Sequence, residues 1–81
     1  MRMTEQQALD VINEALRKTL KDPTITAKRG SDLKEESVLD SLDGMVFFLE
    51  LSTITQKEFP EKDLVEQGFY KVDKLVSFLV T

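Results

Sequence analysis

The sequence predicts an all-α fold, a small four-helix bundle of three longer helices and one short one, with a long loop between the first two. Three observations predict it. Apolar residues recur at helical spacing in three separate segments; caps, prolines and a glycine bracket those segments; and the one β-prone run has no second strand with which to pair. At 81 residues the chain is expected to be a single domain over residues 1–81, with a thin core. Its expected stability is about 4–12 kcal/mol.

Thr4 followed three residues later by Gln7 fits a capping box, and Leu9, Ile12, Leu16 and Leu20 then recur at helical spacing beside Ala8 and Ala15. The first helix is expected over residues 4–20. Arg17, Lys18 and Lys21 fall in or beside its last turn, where cations complement the carbonyl end of the dipole, and Asp22-Pro23 stops it. Residues 21–40 show no period and are punctuated by Pro23, Gly30 and Ser31, so they form a connection that needs anchors. Ile25, Leu33, Val38 and Leu39 are the apolar side chains for that task.

The run "MVFFLEL" contains β-formers, but no Gly or Pro interrupts residues 45–59. Leu42, Met45, Phe48 or Leu49, Leu51 or Ser52, and Thr55 fit one helical stripe. The second helix is expected over residues 41–57, with Asp40 as N-cap, Asp43 at the third helical position and Ser41 as the alternative cap. Phe59-Pro60 ends it, and Pro60 is placed to open a short acidic helix over residues 61–66 that Gly68 closes. A last helix begins near Lys71, where Val72, Leu75, Val76 and Leu79 share a face that Phe78 widens. Tyr70, beside Phe69, is expected to plug the gap between the short helix and the last one.

Composition narrows the chemistry. Neither cysteine nor histidine occurs, which removes thiol nucleophiles, the usual soft metal ligands and the usual general base. A self-contained enzyme is not expected, and neither a catalytic residue nor a metal site is assigned. No apolar run suits a signal peptide, and no window approaches the roughly 20 apolar residues of a membrane span, so the cytoplasm is the simplest location. The net charge of −4 is unevenly spread, with ten acidic and three basic residues between positions 31 and 66. That acidic block makes nucleic acid a poor partner and a basic protein surface a good one. No membrane partner is expected, and the chain should be monomeric.

The segment "LDSLD", residues 39–43, puts an Asp-Ser-Leu triplet at the start of the second helix. With it the sequence resembles the acyl carrier protein family, in which such a serine is esterified to 4′-phosphopantetheine. The resemblance spans nearly the whole chain: "EFPEKDL" is similar to the family's approach to its short third helix, and "VDKLVSFL" to its last helix. It implies that Ser41 is the attachment site, flanked by Asp40, Leu42 and Asp43, with Asp40 helping to position metal and serine for a phosphopantetheinyl transferase. A flexible thiol-ended arm would let a chain without cysteine carry acyl groups as thioesters, for fatty-acid, polyketide or related biosynthesis. Such a chain, if sequestered, would lie among Leu42, Met45, Phe48, Leu51, Phe59, Leu75 and Leu79. The implied partners are the transferase and acyl-loading and acyl-processing enzymes with basic docking surfaces.

Departures from the family pattern point to a specialised member. Val46, Ser52 and Thr53 stand where the family's fatty-acid carriers have docking acids, leaving Val46, Leu49 and Glu50 as the expected partner contacts and predicting a different or narrower partner set. Glu50 replaces a small apolar residue beside the acyl pocket, and Phe47 and Phe48 are bulkier than the usual aliphatics, which predicts a pocket that is small or is shaped for a short or unusual acyl group. Gly44, one turn into the helix, is read as room for the arm or a partner backbone.

Taken alone, each feature has a plainer meaning. A Ser or Asp before a helix is usually a cap, Phe47-Phe48 is usually core, and Asp32, Glu35 and Glu36 make a solvated loop rather than a metal site. Ser41 lacks both a histidine and a Gly-x-Ser-x-Gly setting, which argues against a nucleophile. The rival class is a non-catalytic helical interaction module in which Ser41 is only a cap. A serine–lysine hydrolase is a third reading, and it requires the fold to bring Lys57 or Lys34 to Ser41.

Overall fold

The capping box expected at the start of the chain forms: Thr4 Oγ1 accepts from the Gln7 N–H at 3.1 Å, and Gln7 Oε1 accepts from the Thr4 N–H at 2.9 Å. It opens α1 (Glu5–Leu20), which closes on Lys21 in the left-handed region at φ 54°. The chain is seen in a computed structural model that describes residues 3–59 and 68–80. Among the described residues there are two further helices, α2 (Ser41–Thr55) and α3 (Val72–Leu79), and no strand. The short helix expected over residues 61–66 lies outside the described residues.

On α1, Ala8, Ile12, Ala15 and Leu16 form the buried face, and α1 packs against both other helices. On α3 the buried face is the expected one: Val72, Leu75, Val76 and Leu79. For α2 the expected stripe is corrected. Gly44, Phe47, Phe48 and Leu51 face inward, whereas Leu42 and Met45 are exposed. The helix ends two residues earlier than expected, on Gln56 at φ 56°.

An aromatic cluster bridges α2 and α3. Phe48 meets Phe59 and Tyr70, Phe59 meets Phe69 and Phe78, and Phe69 meets Phe78, with ring centroids between 4.9 and 5.9 Å apart. Tyr70 lies against α2, edge-on to Phe48 at 5.4 Å. A Cβ at position 44 would collide with the Tyr70 hydroxyl and stand 3.1 Å from Cζ, so the space Gly44 leaves is taken by this chain's own tyrosine.

Polar ties seat the long loop as much as the four expected apolar anchors do. Leu33 and Leu39 are buried, Ile25 and Val38 partly so, and Ala27 joins them. Asn13, buried on α1, accepts from the Ala27 N–H at 2.6 Å. Arg17 does more than complement the dipole: its Nε donates to the Ile25 carbonyl at 2.8 Å and its Nη2 to Thr26 Oγ1 at 3.2 Å. The acids expected in a solvated loop organise a turn. Asp32 Oδ1 accepts from the N–H groups of Lys34 and Glu35, Glu36 Oε2 accepts from the Asp32 N–H, and Ser37 leaves the turn at φ 56°. An isolated antiparallel bridge between Asp32 and Lys71 joins this turn to the start of α3. There the Leu33 N–H donates to the Tyr70 carbonyl at 2.8 Å and the Val72 N–H to the Ser31 carbonyl at 3.0 Å. Arg29 clasps the first turns of two helices, donating to Glu5 Oε2 at 2.7 Å and to Asp73 Oδ1 at 3.0 Å. Those carboxylates raise the Arg29 pKa above its ordinary value, Asp73 most.

Candidate functional site

Asp40 and Ser41 divide the work at the start of α2. Asp40 adopts an extended conformation (φ −86°, ψ −174°), and its Oδ1 accepts from the Asp43 N–H at 2.7 Å. The aspartate is therefore the cap. Ser41 is the first helical residue, exposed, and its hydroxyl has no hydrogen-bond partner among the described residues. The N–H groups of Ser41 and Leu42, by the geometry of a helix start, have no intrahelical acceptor and carry the positive end of the dipole.

Ser41 opens on a groove of about 260 Å³ lined by Lys34, Ser37, Leu39, Asp40, Ser41 and Tyr70. The loop and the start of α3 build the opposite wall, because the Leu33 to Tyr70 hydrogen bond draws Lys34 and Tyr70 together. Lys34 Nζ stands 5.8 Å from the centre of the Tyr70 ring. Burial raises the Tyr70 phenol above its ordinary pKa of 10.0. Of the two, Lys34 is a lysine that the hydrolase reading requires beside Ser41, and it does line this groove; Tyr70, expected to plug the gap between the short helix and the last one, is not anticipated here. The signal that could have found the tyrosine is Gly44 itself, since a glycine inside a helix marks a close approach.

The residues expected to line an acyl pocket separate into two groups. Phe48, Leu51, Phe59, Leu75 and Leu79 are brought together in the buried cluster. Met45 is 70% exposed and Leu42 71%, so neither anchors in the core or lines an interior space. The reason is rotational: with Gly44, Phe47, Phe48 and Leu51 inward, positions 42 and 45 turn outward. Phe47, left off the expected stripe, is fully buried.

Of the expected docking residues, Leu49 is 67% exposed and Val46 40%, while Glu50 is half-buried. Leu42, Met45, Val46 and Leu49 make an exposed apolar face that begins beside Ser41. Lys57 stands beyond the far end of α2, its Nζ donating to the Phe78 carbonyl at 3.4 Å. The helix places it about 20 Å from Ser41 at a rise of about 1.5 Å per residue, so it cannot serve as the serine's base.

A second surface depression, of about 480 Å³, lies over Asp10, Asn13, Glu14, Arg17, Lys18, Lys21, Asp22 and Pro23, away from this site. No helix among the described residues is long and apolar enough to cross a membrane. Comparison with protein families, with curated proteins and with solved structures finds no match for this chain.

Proposed function

We propose that the protein is a specialised acyl carrier, without catalytic activity of its own, loaded on Ser41 with 4′-phosphopantetheine. The observation that carries this reading is the division of labour at the start of α2: Asp40 caps the helix, leaving an exposed and unbonded serine hydroxyl beside a groove. A phosphodiester suits that place, because the adjacent helix N–H groups favour an anion and esterification of an outward oxygen disturbs no core contact. Bound there, the arm supplies a mobile terminal thiol that carries an acyl group as a thioester.

Loading is done by a transferase. The Ser41 oxygen forms the new bond to the phosphorus that bears pantetheine in coenzyme A, the bond from that phosphorus to the nucleotide bisphosphate breaks, and the hydroxyl proton passes to a base of the transferase. The exposed face of Leu42, Met45, Val46 and Leu49 is what the transferase and later partners meet beside the serine, with basic surfaces drawn by the acidic middle of the chain. The aromatic filling between α2 and α3 favours short acyl groups, since a long chain would have to displace Phe48 or Phe59.

That same exposed face also favours a second reading, a helical interaction module with no prosthetic group. Incubation with coenzyme A, magnesium and a broad-specificity phosphopantetheinyl transferase, followed by intact-mass measurement, separates the two. The carrier gains one phosphopantetheinyl unit, and Ser41→Ala abolishes the gain without changing stability by more than about 0.5 kcal/mol. An unchanged mass for the folded wild-type chain overturns the carrier reading and leaves the interaction module.

A further inference from the structure

We propose that Lys34 and the Tyr70 hydroxyl seat the phosphate group at the base of the arm, so that the arm leaves the protein along the groove rather than swinging freely from Ser41. This inference rests on the carrier reading.

A phosphorus bonded to the Ser41 oxygen is confined to the reach of one short side chain, and the groove beside that side chain is what it meets. Two hydrogen-bond donors border the groove with no acceptor of their own. Tyr70 is only 9% exposed, and its hydroxyl makes no hydrogen bond among the described residues, so that donor is open to a ligand in the groove. The hydroxyl stands at Gly44, three residues after Ser41 and so on the same side of the helix. Lys34 forms no ion pair among the described residues, and its exposed ammonium stands over the Tyr70 ring, 5.8 Å from the centroid. Gly44 makes the arrangement possible, because any side chain there would expel the phenol.

Charge favours the same assignment. Asp40 also lines the groove, but its Oδ1 is committed to the Asp43 N–H. A phosphodiester adds a second negative charge beside that carboxylate, and Lys34 is the lysine that lines the groove to offset it. The remaining groups, Ser37 and Leu39, are neutral. The phenol, protonated at neutral pH like any tyrosine, can only donate toward an anion placed between it and the ammonium.

The test is phosphorus NMR on the loaded protein, comparing wild type with K34Q, Y70F and, as control, K28A at an exposed loop lysine outside the groove. In wild type and K28A the phosphodiester resonance should be broadened and shifted relative to a free arm. K34Q and Y70F should each move it toward the free-arm position and narrow it. Salt near 1 M, where the screening length is about 3 Å, should partly do the same in wild type. Circular dichroism confirms that each variant is folded, and Y70F keeps the ring that packs on Phe48. Identical resonances in wild type, K34Q and Y70F overturn the seat while leaving the carrier reading intact. Failure of the wild-type chain to gain the arm at all overturns both.

Discussion

Gly44→Ala gives the sharpest test of how the site is built. In an unobstructed helix interior this change stabilises by up to about 1 kcal/mol, since glycine gives up more backbone freedom than alanine. Here the new methyl would collide with the Tyr70 hydroxyl and lie 3.1 and 3.2 Å from Cζ and Cε1. The ring cannot simply pivot away. Its edge packs on Phe48 at 5.4 Å, and its backbone is pinned by the hydrogen bond from Leu33. Overpacking of this kind costs about 1–3 kcal/mol, which outweighs the helix-propensity gain and leaves a net loss of up to about 2 kcal/mol. For a chain of this length that is a fall in melting temperature of about 4–8 °C per kcal/mol. Thermal and urea unfolding followed by circular dichroism measure it. Tyr70 is the chain's single tyrosine and there is no tryptophan, so intrinsic fluorescence reports displacement of the ring directly. In a Tyr70→Phe background, which removes the nearest atom, the cost of Gly44→Ala should fall by at least about 0.5 kcal/mol. A Gly44→Ala protein that gains stability equally in both backgrounds, with unchanged fluorescence, would refute the packing argument.

Asn13→Ala leaves the buried Ala27 N–H without its acceptor and should cost about 1–3 kcal/mol in urea unfolding, though Asn13 touches no part of the Ser41 groove. The Asp22 carboxyl accepts from the Thr24 hydroxyl and N–H, which hold its pKa below the ordinary 3.8. Because the folded value is the depressed one, its contribution to stability is present above the ordinary carboxylate pKa and is lost as pH falls through the folded value. The stability difference between wild type and Asp22→Asn should therefore shrink on acidification, and carbon-detected titration of Thr24→Val should show the Asp22 midpoint rising toward 3.8. Met45→Lys with Leu49→Lys changes two exposed positions, so stability should stay within about 0.5 kcal/mol; if the chain is the carrier proposed above, a transferase's kcat/KM for Ser41 drops, measured by intact mass against time.

Helix existence was legible wherever local chemistry settles it. The Thr4–Gln7 box, the Asp22-Pro23 stop and the Asp40 cap are short-range signals, and each acts where the residues stand. The long loop was less legible because its ties run between residues distant in sequence: Asn13 to Ala27, Arg17 to Ile25, Leu33 to Tyr70. No periodicity carries such information. The same holds for the groove. Ser41 was legible as a helix-start hydroxyl, but Lys34 and Tyr70 reach it only because a backbone bridge draws the loop onto the start of α3.

The orientation of α2 shows where pattern reasoning runs out. Positions 44, 47, 48 and 51 are spaced i, i+3, i+4, i+7, and so are 42, 45, 46 and 49, with every member of both sets apolar or glycine. The sets are offset by two residues, about 200° around the helix, so each is a complete stripe on the opposite side from the other. Periodicity cannot choose between them, and the expected stripe mixed the two. Packing chooses: two phenylalanine rings fill more volume than a valine and a methionine, and only the stripe containing Gly44 lets Tyr70 approach. A helix apolar on all sides is normally buried on all sides, yet here one whole stripe faces solvent, beginning at Leu42 next to the unbonded hydroxyl of Ser41. A partner that reaches the serine meets that stripe, and burying it supplies a driving force that surface ion pairs alone would not.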